Sequence, residues 1–252
     1  MITLKTKSDI EKMREAGKIL SRTFSILRKN VRAGISADKL NNLAHQAILD
    51  MGAQPSFLGY RGYKYATCIS RNEEVVHGIP YTGKIFFPGD ICSIDVGVYY
   101  KGFHVDAART FIIEYANEEI VNLTQVTSQA FFQGVEQAVC GNKLGDISYA
   151  IQNYVESHGF SVVRDLYSHG IGRELHEEPL IPNYGKKNKG ISLQIGMTFA
   201  IEPMVNIGTY QVLTLPDKWT IITADQKYSA HYENTVYIGE DGCEILTLEE
   251  KL

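Results

Sequence analysis

Residues 90–113 read DICSIDVGVYYKGFHVDAARTFII, and this stretch decides the fold. Two β-rich runs, Asp90–Tyr100 and Phe103–Ile113, flank Lys101-Gly102, a short-turn hairpin signal. Each run is apolar, yet each carries one carboxylate, Asp95 and Asp106. If Tyr100 pairs with Phe103, Asp95 lies opposite Ala108. Asp106 is two residues from Ala108, so it shares the face of Asp95. The two acids then become diagonal cross-strand neighbours, roughly 7–8 Å apart at Cα. Two bare carboxylates buried that close repel, and one takes up a proton. A divalent cation between them removes the conflict.

The second half repeats the pattern. Glu202 follows the apolar run MTFAI, and Glu233 sits in SAHYENTVYI. These acids fall in a second strand pair, Met197–Ile207 and Tyr228–Ile238, joined by a longer excursion containing Trp219. At an offset of 107, Gly52 falls on Gly159, Leu40 on Ile147, Gly89 on Gly196, Ile94 on Ile201 and Asp95 on Glu202. The expectation is an internal repeat, roughly 34–113 and 142–238, whose two helix–strand units pack into one core. A single acid of the four reads as an outward-facing strand residue. Four acids in four strand contexts read differently, because buried acids are rarely left unpaired.

Helices precede each set of strands. Ser8 and Glu11 form a capping-box pattern ahead of Ile10, Met13, Leu20, Phe24 and Leu27, with Gly34 as the stop. Ser36 caps a second helix ended by Gly52. A third runs through Ile120, Leu123, Val126, Ala130 and Val135, and a fourth starts near Asp146 and stops before Gly159. All show the three-and-four spacing of an amphipathic helix. The reading is a single α+β domain over residues 1–252.

Composition excludes several classes. Hydrophobic residues are 44% and charged residues 21% of the 252, within the globular range. Twenty-five cationic against 29 acidic side chains give −4, which argues against a nucleic-acid site. The polar N-terminus is unlike a signal peptide, and no apolar run approaches the roughly 18 residues of a membrane helix. Cys68, Cys92, Cys140 and Cys243 are far apart, so a cytoplasmic location is expected.

Histidines complete the candidate site. His77 stands in VVHGIP, His169 in SHGIGRELHEE, and His176 seven residues further on. On a strand, an odd separation puts His169 and His176 on opposite faces, so one reads as a ligand and the other as a loop residue facing substrate. His45, His104, His158 and His231 read as ordinary surface or core histidines, although His104 shares the face parity of Asp106. Gly78-x4-Gly83-Lys84 mimics a phosphate loop but continues with Ile85, and Pro80 lacks a backbone donor. His176-Glu177-Glu178-Pro179 lacks the second histidine of a helical zinc motif.

Asp95, Asp106, His169, Glu202 and Glu233, in that order and context, resemble the metal-ligand set of the methionine aminopeptidases. CISRNEEVVHGIP, SIDVGVYYKGFHVDAARTF, SHGIGRELHEEP and FAIEPM look like the bacterial type I branch. The resemblance implies the duplicated pita-bread fold, with a pseudo-two-fold axis and antiparallel strands covered by helices. It implies metal-dependent removal of the initiator methionine from nascent polypeptides when the second residue is small. Two divalent ions (Co, Mn, Fe or Zn) are implied. Asp95 would hold one, His169 and Glu202 the other, and Asp106 and Glu233 would bridge them. Glu202 would shuttle protons, His176 would stabilise the oxyanion, and His77 would contact the scissile nitrogen or the following residue. Phe57, Tyr60, Tyr63, Cys68, Leu175 and Trp219 match methionine-pocket positions, and Asn72 and Ser229 match positions near a monovalent-cation site.

The chain departs from the family where Leu175 replaces a usual aromatic, Asn234 a usual histidine and His231 a commoner glutamine. A monomer working near the ribosome, with no membrane partner, completes the expectation. Alternatives are an Xaa-Pro peptidase (a prolidase or aminopeptidase P) of the same superfamily, or a non-catalytic binding protein on this fold. The former usually carry a large extra N-terminal domain, whereas only about 60 residues precede GYRGY here. The latter would be expected to have lost ligands.

Overall fold

The expected hairpin forms around Lys101 and Gly102. Both adopt positive φ, +49° and +87°, the combination that matches a tight turn to the right-handed twist of its strands. Strands Ile91–Tyr100 and Phe103–Ile112 pair antiparallel from Tyr100 opposite Phe103 through Asp95 opposite Ala108. The computed structural model describes residues 2–249.

The hairpin sits inside a nine-stranded, antiparallel sheet. Along its main path the order is Gln54–Pro55, Ile91–Tyr100, Phe103–Ile112, Glu233–Gly239, Thr198–Ile201, Tyr167–Gly170 and Glu177–Pro182. Thr67–Arg71 pairs with Ile91–Tyr100, and Gly242–Ile245 pairs with Glu233–Gly239. Period-two alternation divides the hairpin residues between two environments. Ile94, Val96, Val98, Val105 and Ala107 join a core with helices α1 (Lys7–Asn30) and α2 (Ala37–Asp50). A second core joins α3 (Glu118–Gln137) and α4 (Leu144–Ser157) to Phe199, Ile201, Val236 and Ile238. Asp95, Asp106, Ala108 and Glu233 have the opposite parity and face away from these helices. Among the described residues no helix is long and apolar enough to cross a membrane.

Two expectations need correction. Helix α1 is capped by Thr6, not Ser8. Asp9 N donates to Thr6 Oγ1 at 3.2 Å, and Thr6 N donates to Asp9 Oδ2 at 3.1 Å. Thr6-Asp9 supplies the same reciprocal box two residues earlier, and the helix ends at Asn30, short of Gly34. The two long strands of the second half are each broken. Thr198–Ile201 stops before Glu202-Pro203, because proline offers no ladder donor. Met204–Asn206 and Ser229–His231 then join a separate three-stranded sheet with Ser161–Val162. The excursion holding Trp219 folds as Val212–Thr214 and Ile221–Thr223 against Glu74–Val76.

The offset of 107 recurs in the backbone. Helix α2 maps onto α4, and Gln54–Pro55 onto Ser161–Val162. Gly52 and Gly159 have φ of +75° and +82°, and Gly89 and Gly196 both have +96°. The isolated bridges Ser36–Ile85 and Lys143–Ser192 also correspond.

Candidate metal centre

Register brings the acids together. Ala108 is opposite Asp95 on one side and Glu233 on the other. Ala200 lies between Thr235 and His169, and Glu202 stands two residues beyond it. Directly opposed residues share a face. One face therefore collects Asp95, Asp106, Glu233, His169 and Glu202 around two alanines, whose small side chains leave space between the donors. Gly97, opposite Asp106, is needed for a different reason: a Cβ there would lie 2.7 Å from Ser56 Cβ and 2.8 Å from a ring carbon of Phe57, which pack over the strand.

The donors converge at ligand spacing. Asp106, His169 and Glu233 each offer an atom within 4.8 Å of the others, and so do Glu202, His231 and Glu233. His169 Nε2 is 3.6 Å from Glu202 Oε1. Asp106, His169, His231 and Glu233 are buried, while Asp95 and Glu202 are partly buried and line a pocket. Asp95 Oδ1 is buried without a hydrogen-bond partner. Glu202 is held from behind: its backbone N donates to Ser168 Oγ at 2.9 Å, and Ser168 Oγ donates to Asn183 Oδ1 at 3.0 Å.

Positive charge for these acids does not come from nearby basic residues. Among the described residues, the basic side-chain nitrogens within 4.0 Å of these carboxylates are those of His169 and His231, which carry charge only when protonated. Arg109 is close, but its guanidinium donates to the Ala108 and Glu233 carbonyls, to Asn234 Oδ1 and to Glu249. Desolvation, opposed by His231 and reinforced by Glu202, pushes Asp95 up to about 7. Desolvation also pushes Glu202 up to about 7. Asp106 and Glu233 rise well above the carboxylate range, first through burial and then through acidic neighbours: Asp95 and Glu202 for Asp106, and Asp106, Glu202 and Asp95 for Glu233. Burial pushes His231 down to about 4, so its imidazole is neutral near pH 7. A site of four acids, an orphaned carboxylate oxygen and two imidazoles fits divalent cations.

These shifts predict a pH dependence. Carboxylates with raised folded-state pKa lend stability below their unfolded values and lose it as pH rises through the folded values. His77, His176 and His231, all lowered, lose stability as pH falls below about 6.5, so the two effects oppose each other in acid. Above about pH 6.5 the carboxylates act alone. The metal-free protein is expected to melt at progressively lower temperature as pH rises from about 6.5 through about 7, where Asp95 and Glu202 ionise, and added divalent cation is expected to reverse the trend. Calorimetric melts with and without chelator check this; a flat metal-free profile contradicts it.

The pocket beside the acids is lined by Phe57, Tyr60, Tyr63, Cys68, Leu175 and Trp219, together with His77 and His176. The sequence-proposed set is thus brought to one cavity. Cys68 lies opposite Asp95 across the strand pair. Tyr63 packs edge-on against Trp219 at 4.9 Å between ring centroids. His169 sits on its strand, while His176 stands on the loop before Glu177–Pro182. That loop folds back, so the rings of His169 and His176 are only 4.2 Å apart and strand parity does not separate them. His176 also stacks on Tyr60 at 5.2 Å. Desolvation, then His169 and His77, lower the pKa of His176. His77 has a φ of +58°, an uncommon conformation for a non-glycine residue and one that recurs at functional sites.

Asn72 and Ser229 meet outside the pocket, where Ser229 N donates to the Asn72 carbonyl at 2.9 Å. His104 does not reach the acids; its Nδ1 pairs with Ser56 Oγ at 2.9 Å and its ring packs on Tyr99. Lys84 of the mimic phosphate loop is buried on Glu74 and the Ile69 carbonyl. Two residues of the site escaped the sequence reading. Arg61, exposed and stacked on Tyr60, lines the pocket. His231, read as an ordinary histidine, lies among the acids; its spacing of two from Glu233 was the available signal.

Comparison with known proteins gives a consistent result. Residues 11–240 match the model of metallopeptidase family M24. A methionine aminopeptidase of Clostridium perfringens is 52% identical over 98% of this chain and 99% of its own length. The crystal structure of a methionine aminopeptidase from Thermotoga maritima superposes with a TM-score of 0.97 at 46% identity, covering 99% of this chain and 100% of that one. A prolidase from Pyrococcus furiosus shares the fold, with a TM-score of 0.79 at 24% identity, over 98% of this chain and 66% of its own. The chain belongs to metallopeptidase family M24, among the methionine aminopeptidases, and has their pita-bread fold with a divalent-metal site.

Proposed function

We propose that this chain releases the N-terminal methionine from nascent polypeptides whose second residue is small, using two divalent ions. The observation that carries the reading is the pocket: an apolar and aromatic cavity opening directly onto four convergent carboxylates. Phe57, Tyr63, Cys68 and Leu175 are buried around it, and an unbranched thioether packs well against such rings and soft atoms. Among the described residues that line it, the one charged side chain beyond the histidines and acids is Arg61, which is exposed. A charged first side chain would therefore be desolvated without a buried partner.

Asp95 would hold one ion, His169 and Glu202 the other, with Asp106 and Glu233 between them. Four carboxylates against two divalent cations leave no net charge. When bound, the ions polarise the scissile carbonyl and lower the pKa of water. Glu202, with a metal-free pKa near 7, is suited to carry a proton towards the leaving amine. His176, neutral beside His169, donates to the developing oxyanion. His77, fixed in its unusual backbone geometry, crowds the second residue. Asn72 and Ser229 would serve a monovalent cation. The recurring offset supports an internal repeat, roughly 34–113 and 142–238, within one catalytic domain. Action near the ribosome, as a cytoplasmic monomer, accords with a substrate that is a newly made N-terminus.

A peptide series tests the reading. Met-Ala, Met-Gly and Met-Ser starts are expected to be cut well, and Met-Leu, Met-Lys and Met-Trp starts poorly. Norleucine is expected to replace methionine within roughly 1–3 kcal/mol, with valine much worse. Equal cleavage of both groups, or faster release of Leu or Lys than Met, would replace the proposal with a broad aminopeptidase.

A further inference from the structure

His231 is 2% exposed, yet its Nε2 has no hydrogen-bond partner. That atom lies 3.5 Å from Glu202 Oε2 and 4.0 Å from Glu233 Oε2. His169 Nε2 faces the other oxygen of the same carboxylate, Glu202 Oε1, at 3.6 Å. Glu202 is therefore flanked by one imidazole at each oxygen. These separations exceed the roughly 2.7–3.2 Å of a good N–H···O bond. They suit donors that share an ion: at metal–donor distances near 2.1 Å, tetrahedral ligands stand about 3.4 Å apart. A buried ring nitrogen left unpaired is also costly, which favours a partner at that atom.

The ring is held in place from its backbone. His231 N donates to Thr110 Oγ1 at 3.0 Å, and the Thr110 hydroxyl donates back to the His231 carbonyl at 2.9 Å. Across the small sheet His231 pairs with Met204, two residues from Glu202. Asn234, the other departure near Glu233, faces away and accepts from Arg109 Nη2 at 2.7 Å. The histidine, at the end of Ser229–His231, is thus on the side of the acids, and the amide of Asn234, on the following strand, is behind them.

We propose that His231 is an additional metal-ligating residue, giving Nε2 to the ion shared by Glu202 and Glu233. The inference rests on the metal-centre reading above and deepens it. A position with two imidazoles beside carboxylates should prefer nitrogen-seeking ions such as cobalt, iron or zinc over manganese or magnesium.

The test uses the full chain loaded with Co(II), wild type against His231→Gln and His231→Ala. Extended X-ray absorption counts imidazoles per cobalt, and titration calorimetry gives stoichiometry and affinity. With two cobalt ions bound, two ligating imidazoles give an average of about one per ion in the wild type and about one half in either variant. Affinity of the weaker step is expected to fall by about tenfold or more for cobalt, and by less for manganese. Circular dichroism establishes that the variants are folded, and the alanine variant must repeat the loss seen with glutamine. An unchanged imidazole count overturns the proposal, whatever the affinity does. A wild-type stoichiometry of one ion would instead contradict the dinuclear reading. The change in count on substitution still decides the role of His231 in that case.

Discussion

Asp106→Asn is expected to abolish turnover while the chain stays folded. Asp106 is buried between Asp95 and Glu233, and its position opposite Gly97 is fixed by the hairpin register. The amide keeps the shape of the carboxylate and removes the charge proposed to bridge two cations. Losing that bridge forfeits several kcal/mol of transition-state stabilisation, on the order of 10³-fold or more in kcat. The metal-free variant is expected to be at least as stable as the wild type above about pH 6.5, because one of four mutually repelling acids is gone. Hydrolysis of Met-Ala-Ser, elemental analysis and thermal melts check the three parts together. Undiminished activity would falsify the dinuclear mechanism.

His176→Ala is expected to lower kcat by about 10²–10³ while metal content is retained, the usual cost of one transition-state donor. The ring stands between His169 and Tyr60, close to the acids but outside the two clusters of convergent ligand atoms. Its lowered pKa keeps it neutral, as a hydrogen-bond donor to a developing oxyanion rather than a fixed charge. Loss of a bound ion in this variant would make His176 a ligand instead.

The hairpin and its acids were legible because both rest on local rules. A two-residue turn sets register, and a period of two then fixes which side chains share a face. The pairing of Asp95 with Ala108 follows from Lys101-Gly102 alone. The second half was less legible because Pro203 ends a strand that hydropathy runs straight through. The pocket could not be derived from pattern. Phe57, Tyr63, Leu175 and Trp219 lie on segments far apart in sequence, and only folding makes them neighbours. Arg109 is held by Glu249, 140 residues away, and no local signal reports such a contact. His231 was misread because it was judged singly. Its spacing from Glu233 carried the information.

The most direct test is release of methionine from Met-Ala-Ser during titration of chelated protein with cobalt, beside an Xaa-Pro peptide as control. The account predicts no release without metal, activity that appears as cobalt is added, and no cleavage of the Xaa-Pro peptide at any loading. Methionine release that survives exhaustive chelation, or equal cleavage of the Xaa-Pro peptide, would contradict it.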